Sequence, residues 1–99
     1  MNRYSVSPRA RADLDEIWTY IARDNRQAAN RMLRRLTDKF AMVSRQPEIG
    51  ELRGDLHPGF RTVLLGSYVI YYTIEAKHVR SMRVLHAARD IGQFFGSQD

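Results

Sequence analysis

The chain has 99 residues, no cysteine, a hydrophobic fraction of 43% and a formal net charge of +5. Its length suits one domain, residues 1–99, with a modest core, and its hydrophobic content is too high for a disordered chain. Disulfides and thiolate metal sites are excluded, and no apolar run approaches the ~20 residues of a membrane helix. With no signal-peptide pattern at the start, the expectation is a soluble cytoplasmic protein with no membrane partner.

Lys39 and Lys77 are the only lysines, so the positive charge is nearly all arginine. A guanidinium fork suits carboxylates and phosphates, which points to acidic partners such as nucleic acid, a nucleic-acid enzyme or an acidic peptide. A core this small also leaves apolar surface that a partner or a second copy can complete.

Tyr4 and Val6 alternate with polar residues and predict a short opening strand. Ser7-Pro8 reads as an N-cap followed by proline in a first helical turn. Leu14, Ile17, Trp18 and Ile21 then form one apolar stripe, with Asp13, Asp15, Glu16 and Arg23 mostly off it. Trp18 is expected in the seam between helix and sheet. Asp24-Asn25 breaks this helix and can cap the next. Ala29, Met32, Leu33, Leu36, Phe40 and Val43 make a second stripe, which Pro47 stops. Two amphipathic helices joined by so short a turn pack as an antiparallel hairpin.

Residues 47–59 carry two prolines and three glycines and predict a long loop. Phe60 to Leu65 predicts a strand, Gly66-Ser67 a two-residue turn with glycine first, and Tyr68 to Ile74 a second strand. Glu75 to His78 predicts another turn and Val79 to Ala87 a third strand. Asp90 can cap a short C-terminal helix with Ile91, Phe94 and Phe95. The expected fold is α+β, in the order β-α-α-β-β-β. A helix hairpin covers one face of an antiparallel sheet, and the opposite face stays open for binding.

Strand phase puts Tyr68, Ile70 and Tyr72 on one face and Val69, Tyr71 and Thr73 on the other. In the last strand Met82 and Val84 read as the core set. Arg83 then points to the open face, dispensable for folding, and His86 ends the strand on the core side. His86 is the one residue suited to acid–base work near neutral pH, though no partner base or nucleophile lies beside it in sequence. Arg61, Arg83 and Arg89 are candidates for a cluster holding phosphate or carboxylates; scattered edge charge against aggregation is the plainer alternative. Tyr68 is a candidate contact by stacking or by sheet packing. The spacing of His57, His78 and His86 matches no metal motif, so no metal or cofactor is expected.

Several segments together resemble the ParE branch of the RelE/ParE toxin superfamily. They are Tyr4 to Pro8, Ala12 to Trp18 with Tyr20-Ile21, Pro47 to Gly50, Pro58 to Arg61, Tyr68 to Tyr72, Arg83 to His86 and Arg89-Asp90. The resemblance implies a compact α+β toxin and a cognate ParD-like or related antitoxin in a hetero-oligomeric complex. It implies Trp18, Ile21 and the tyrosine strand as antitoxin contacts. It also implies one of two activities: inhibition of DNA gyrase, as in the ParE branch, or ribosome-dependent mRNA cleavage, as in the RelE branch. The cleaving branch commonly uses an arginine on the middle strand and a C-terminal tyrosine. Here Val69 falls at the first position, and the tail has Phe94 and Phe95. The expectation is therefore a gyrase inhibitor that binds through Arg61, Tyr68, Arg83, His86 and Arg89. The alternatives are a nuclease using His86, Arg61, Arg83 and Arg89, and a non-toxic complex-forming member.

Overall fold

A computed structural model describes residues 3–76 and 78–88. Its elements are β1 (Arg3–Val6), α1 (Pro8–Ala22), α2 (Arg26–Arg45), a 3-10 turn (Pro47–Ile49), β2 (Glu51–Leu52), β3 (Arg61–Leu65), β4 (Tyr68–Glu75) and β5 (His78–His86). The predicted tail helix and Arg89 lie outside the described residues. The strands form one sheet in the order β1-β5-β4-β3-β2. The predicted β-α-α-β-β-β order holds, with β2 added from within the predicted loop. The sheet is mixed rather than wholly antiparallel, because β1 lies parallel to β5.

Local chemistry sets the helix boundaries as expected. Ser7 Oγ accepts the Ala10 N–H and Asn25 Oδ1 the Ala28 N–H, both at 3.0 Å, so each helix starts on a side-chain cap. The Ser7 hydroxyl also donates to the Met82 carbonyl at 2.9 Å and so ties the start of α1 to β5. Leu65 pairs with Tyr68 across Gly66-Ser67, and Gly66 has φ +57°, which glycine adopts without steric cost.

The main core lies between the helix hairpin and the sheet. Ile17, Leu36, Phe40, Ile70 and Val84 meet there, with Leu14, Ile21, Met32 and Tyr68 against them. Val43, Tyr72 and Val79 continue it toward the C-terminal end of α2.

Two expectations about the faces are corrected. Tyr71 pairs with Arg83 but Tyr72 with Ser81, so Met82 is an extra residue in β5. Such a bulge resets the two-residue alternation. Val79 and Val84 both end on the helix side, while Met82 packs on the opposite face. That opposite face is not bare either. Phe60, Tyr71 and Leu85 form a second small core there, with Leu56, Val69 and Met82, because residues 56–60 fold back over the sheet.

Candidate functional site

The cleft between α1 and the end of β5 gathers the most chemistry. Its volume is about 310 Å³, and Asp13, Glu16, Tyr20, Tyr68, Arg83 and His86 are among its lining residues. At its base Asp13 is buried and holds Arg83 through both carboxylate oxygens, Nε at 2.9 Å and Nη2 at 3.0 Å. The Val84 N–H donates to the same carboxylate at 2.8 Å. The carboxylate raises the Arg83 guanidinium above its ordinary range, chiefly through these hydrogen bonds. Arg83 therefore does not point from an open sheet face. Its backbone position keeps the outer-face phase of Tyr71, but its long side chain reaches Asp13 on α1 and is part of the helix–sheet joint.

The stripe of Leu14, Ile17, Trp18 and Ile21 leaves Asp13 off its face, so sequence reasoning misses Asp13 as a site residue. The buried residues of α1 are Ala10, Asp13 and Ile17, at i, i+3 and i+7. An acid on that spacing is the sequence signal for a buried partner, since a carboxylate seldom stays inside unpaired.

His86 is exposed at the rim. Its ring meets Tyr68 edge-on, with centroids 5.5 Å apart. Its Nδ1 accepts the Ala88 N–H at 3.1 Å, which leaves the proton of the neutral ring on Nε2. Burial raises the Tyr68 phenol above its usual range, and nearby Tyr20 adds to the shift. Tyr20 itself is 70% exposed. The cleft thus offers an aromatic and imidazole rim over a satisfied ion pair, a surface suited to binding.

Arg61 belongs elsewhere. Its Nη1 donates to the Gly50 carbonyl at 2.8 Å and the Glu48 carbonyl at 3.2 Å. Beside it the fully buried Tyr72 hydroxyl donates to the Pro47 carbonyl at 2.6 Å and accepts the Gly50 N–H at 2.9 Å. Both side chains clamp the turn at residues 47–50, and a Cβ on Gly50 would collide with the Tyr72 ring. The guanidinium groups of Arg61 and Arg83 thus serve separate joints and do not form the expected cluster.

Trp18 is not in the helix–sheet seam. Its Nε1–H donates to Asn30 Oδ1 at 2.8 Å, and the Arg26 guanidinium lies 5.8 Å from its ring centre, so it bridges the two helices. Ile21 packs against the main core, half-buried. Among the described residues, no three His, Asp or Glu side chains converge as metal ligands, and no helix is long and apolar enough to cross a membrane.

The same arrangement of elements occurs in solved toxin–antitoxin structures. A chain from the chromosomal ParDE system of P. aeruginosa superposes with a TM-score of 0.73 at 20% identity, over 87% of this chain and 96% of that one. A chain of the RelBE2 toxin–antitoxin complex from Mycobacterium tuberculosis gives 0.66 at 24% identity, over 86% and 96%. Both likenesses concern the fold. In sequence, Toxin ParE1 of Caulobacter vibrioides is 35% identical over 98 residues, which span 97% of this chain and 100% of that protein. Toxin ParE1 of Mycobacterium tuberculosis is 33% identical over 93 residues, 91% of this chain and 94% of the relative. The profile of the family described as "ParE toxin of type II toxin-antitoxin system, parDE" matches residues 4–91, from the first strand to beyond the His86 rim, and the chain belongs to that family.

Proposed function

We propose that this ParE-family toxin inhibits DNA gyrase by binding it, without catalysis of its own, and that a ParD-like antitoxin holds it silent. The observation that carries the first part is the engagement of the arginines. A phosphodiester-cleaving site needs cations aimed at an empty position where charge develops. The bidentate fork of Arg83 is closed on Asp13, and Arg61 Nη1 is held by two loop carbonyls. Val69, not an arginine, stands on the middle strand and packs into the small outer core. His86 has its Nδ1 occupied by the Ala88 N–H. The likeness to chains of ParDE and RelBE2 systems supports an antitoxin partner. The cleft rim of Tyr20, Tyr68 and His86, with Ile21 and Trp18 on the adjoining helix, is its contact surface in this reading.

Purified toxin added to gyrase and relaxed plasmid should block supercoiling, and a co-purified antitoxin should restore it. Translated mRNA from expressing cells should stay intact. Discrete mRNA cuts that vanish in His86→Ala would overturn this reading in favour of the nuclease. Normal growth and normal supercoiling at full expression would favour a non-toxic member.

A further inference from the structure

The helix α2 carries the chain's whole charge excess. Its six basic residues, Arg26, Arg31, Arg34, Arg35, Lys39 and Arg45, face a single acid, Asp38. The rest of the chain holds ten basic and ten acidic residues and is balanced. The buried residues of α2 include Ala29, Leu36, Phe40 and Val43. At 100° per residue, Arg31, Arg34 and Arg45 then fall on the side opposite the core, with Arg35 beside them. All four are exposed. Among the described residues the ion pairs are Arg53–Asp55 and Arg83–Asp13, so none of the α2 cations is neutralised in this way. Arg31, Arg34 and Arg35 make a cationic cluster, and Arg45 extends this stripe to about 21 Å from Arg31 at ~1.5 Å per residue, with exposed Asp38 the one acid on the same side.

From this stripe we infer that α2 is a docking face for the phosphate backbone of duplex DNA, without sequence preference. The occupant follows from what the stripe has and lacks. Its charge complements a polyanion. Among the described residues, the large exposed apolar side chains, Tyr4, Tyr20, Ile49, Leu52, Leu64 and Ile74, lie off α2. A protein partner needs desolvated apolar or aromatic anchors at the centre of its interface, and the large apolar residues of α2 that reach the surface, Met32, Leu33 and Met42, are half-buried. Single strands bind by stacking bases on aromatic side chains, and the one aromatic residue of α2, Phe40, is buried. Guanidinium groups on a rigid rod suit regularly spaced phosphates, whose contacts position a protein without reading bases. This inference stands whether or not gyrase is the target.

Fluorescence anisotropy of the purified chain with a labelled duplex of arbitrary sequence, across a salt series, tests it. Oligothymidine of equal length and a polyglutamate peptide serve as comparison probes. The duplex should bind best, with affinity falling linearly against salt on logarithmic axes. The variant Arg31→Gln, Arg34→Gln, Arg35→Gln should flatten that slope by about 2.7, at ~0.9 per phosphate contact. Arg9→Gln, Arg11→Gln, Arg23→Gln removes equal charge from exposed sites on α1 and at its end, and should leave the slope nearly unchanged. Circular dichroism checks the fold, and Arg34→Gln alone, expected to flatten the slope by about 0.9, replaces the triple variant if that one unfolds. Equal losses in both triple variants, tighter binding of oligothymidine, polyglutamate binding as tight as the duplex, or no duplex binding at low salt would each overturn the inference.

Discussion

Asp13 and Tyr72 show what single polar groups do in a core this small. Each sits inside because every one of its demands is met. Asp13 answers Arg83 twice and the Val84 N–H once. Asp13→Ala would remove the carboxylate that holds the Arg83 guanidinium and the Val84 amide. Breaking a buried pair from one side costs about 3–5 kcal/mol, so the variant should unfold at much lower urea. Arg83→Ala should act in the same direction, since it leaves the buried carboxylate with the Val84 N–H but no countercharge. An unfolding free energy from urea titration within about 0.5 kcal/mol of the parent for either variant would show that the joint is dispensable. Tyr72→Phe keeps the ring but strands the Pro47 carbonyl and the Gly50 N–H. It should cost about 1–3 kcal/mol by the same measurement. Ser81 is the opposite case. Its buried hydroxyl has no hydrogen-bond partner, so Ser81→Ala should leave stability unchanged or raise it. A clear loss in its melting temperature would mean that the hydroxyl is bonded.

At the scale of elements, caps and turns decide where each piece begins, and one bulge decides what β5 shows to either side. Ser7→Ala removes both the cap on Ala10 and the tie to Met82. It should lower stability by about 1–2 kcal/mol in thermal or urea melts, and a neutral result would show that α1 is held by packing alone. These elements were legible in the sequence because their signals are local: Ser7-Pro8, Asn25, Pro47 and Gly66-Ser67 each act within a turn of where they stand. The faces of β5 were not legible. Alternation is a rule about unbroken strands, and the extra residue at Met82 depends on how β5 pairs with β4. The engagement of Arg83 was hidden for another reason: its partner Asp13 is 70 residues away, and no local signal joins the two. The covered outer face was hidden for a similar reason. Leu56 sits in the predicted loop and Phe60 at the start of a predicted strand, and only the folded chain shows them closing over Tyr71 and Leu85.

Over the whole molecule, apolar layers on both sides of the sheet bury tyrosine hydroxyls on β4, and this sets an alkaline limit to stability. Burial raises the phenols of Tyr68, Tyr71 and Tyr72 above the ordinary value of 10.0. The Gly50 N–H and Arg61 pull Tyr72 partly back, as Arg53 does Tyr71. A phenol whose folded value exceeds its unfolded one favours the fold fully below the unfolded value. That contribution is lost as pH rises through the folded value, because the unfolded chain releases its protons first. The Arg83 guanidinium stays charged throughout this range, since its hydrogen bonds to Asp13 hold it above the ordinary arginine value. The urea midpoint should therefore hold steady up to about pH 9.5 and decline beyond about pH 10. Tyrosinate absorbance should rise in step with unfolding. Tyr72→Phe starts from lower stability but should show a shallower decline. A midpoint that stays flat while all five tyrosines ionise would mean that the β4 phenols meet water in the folded protein.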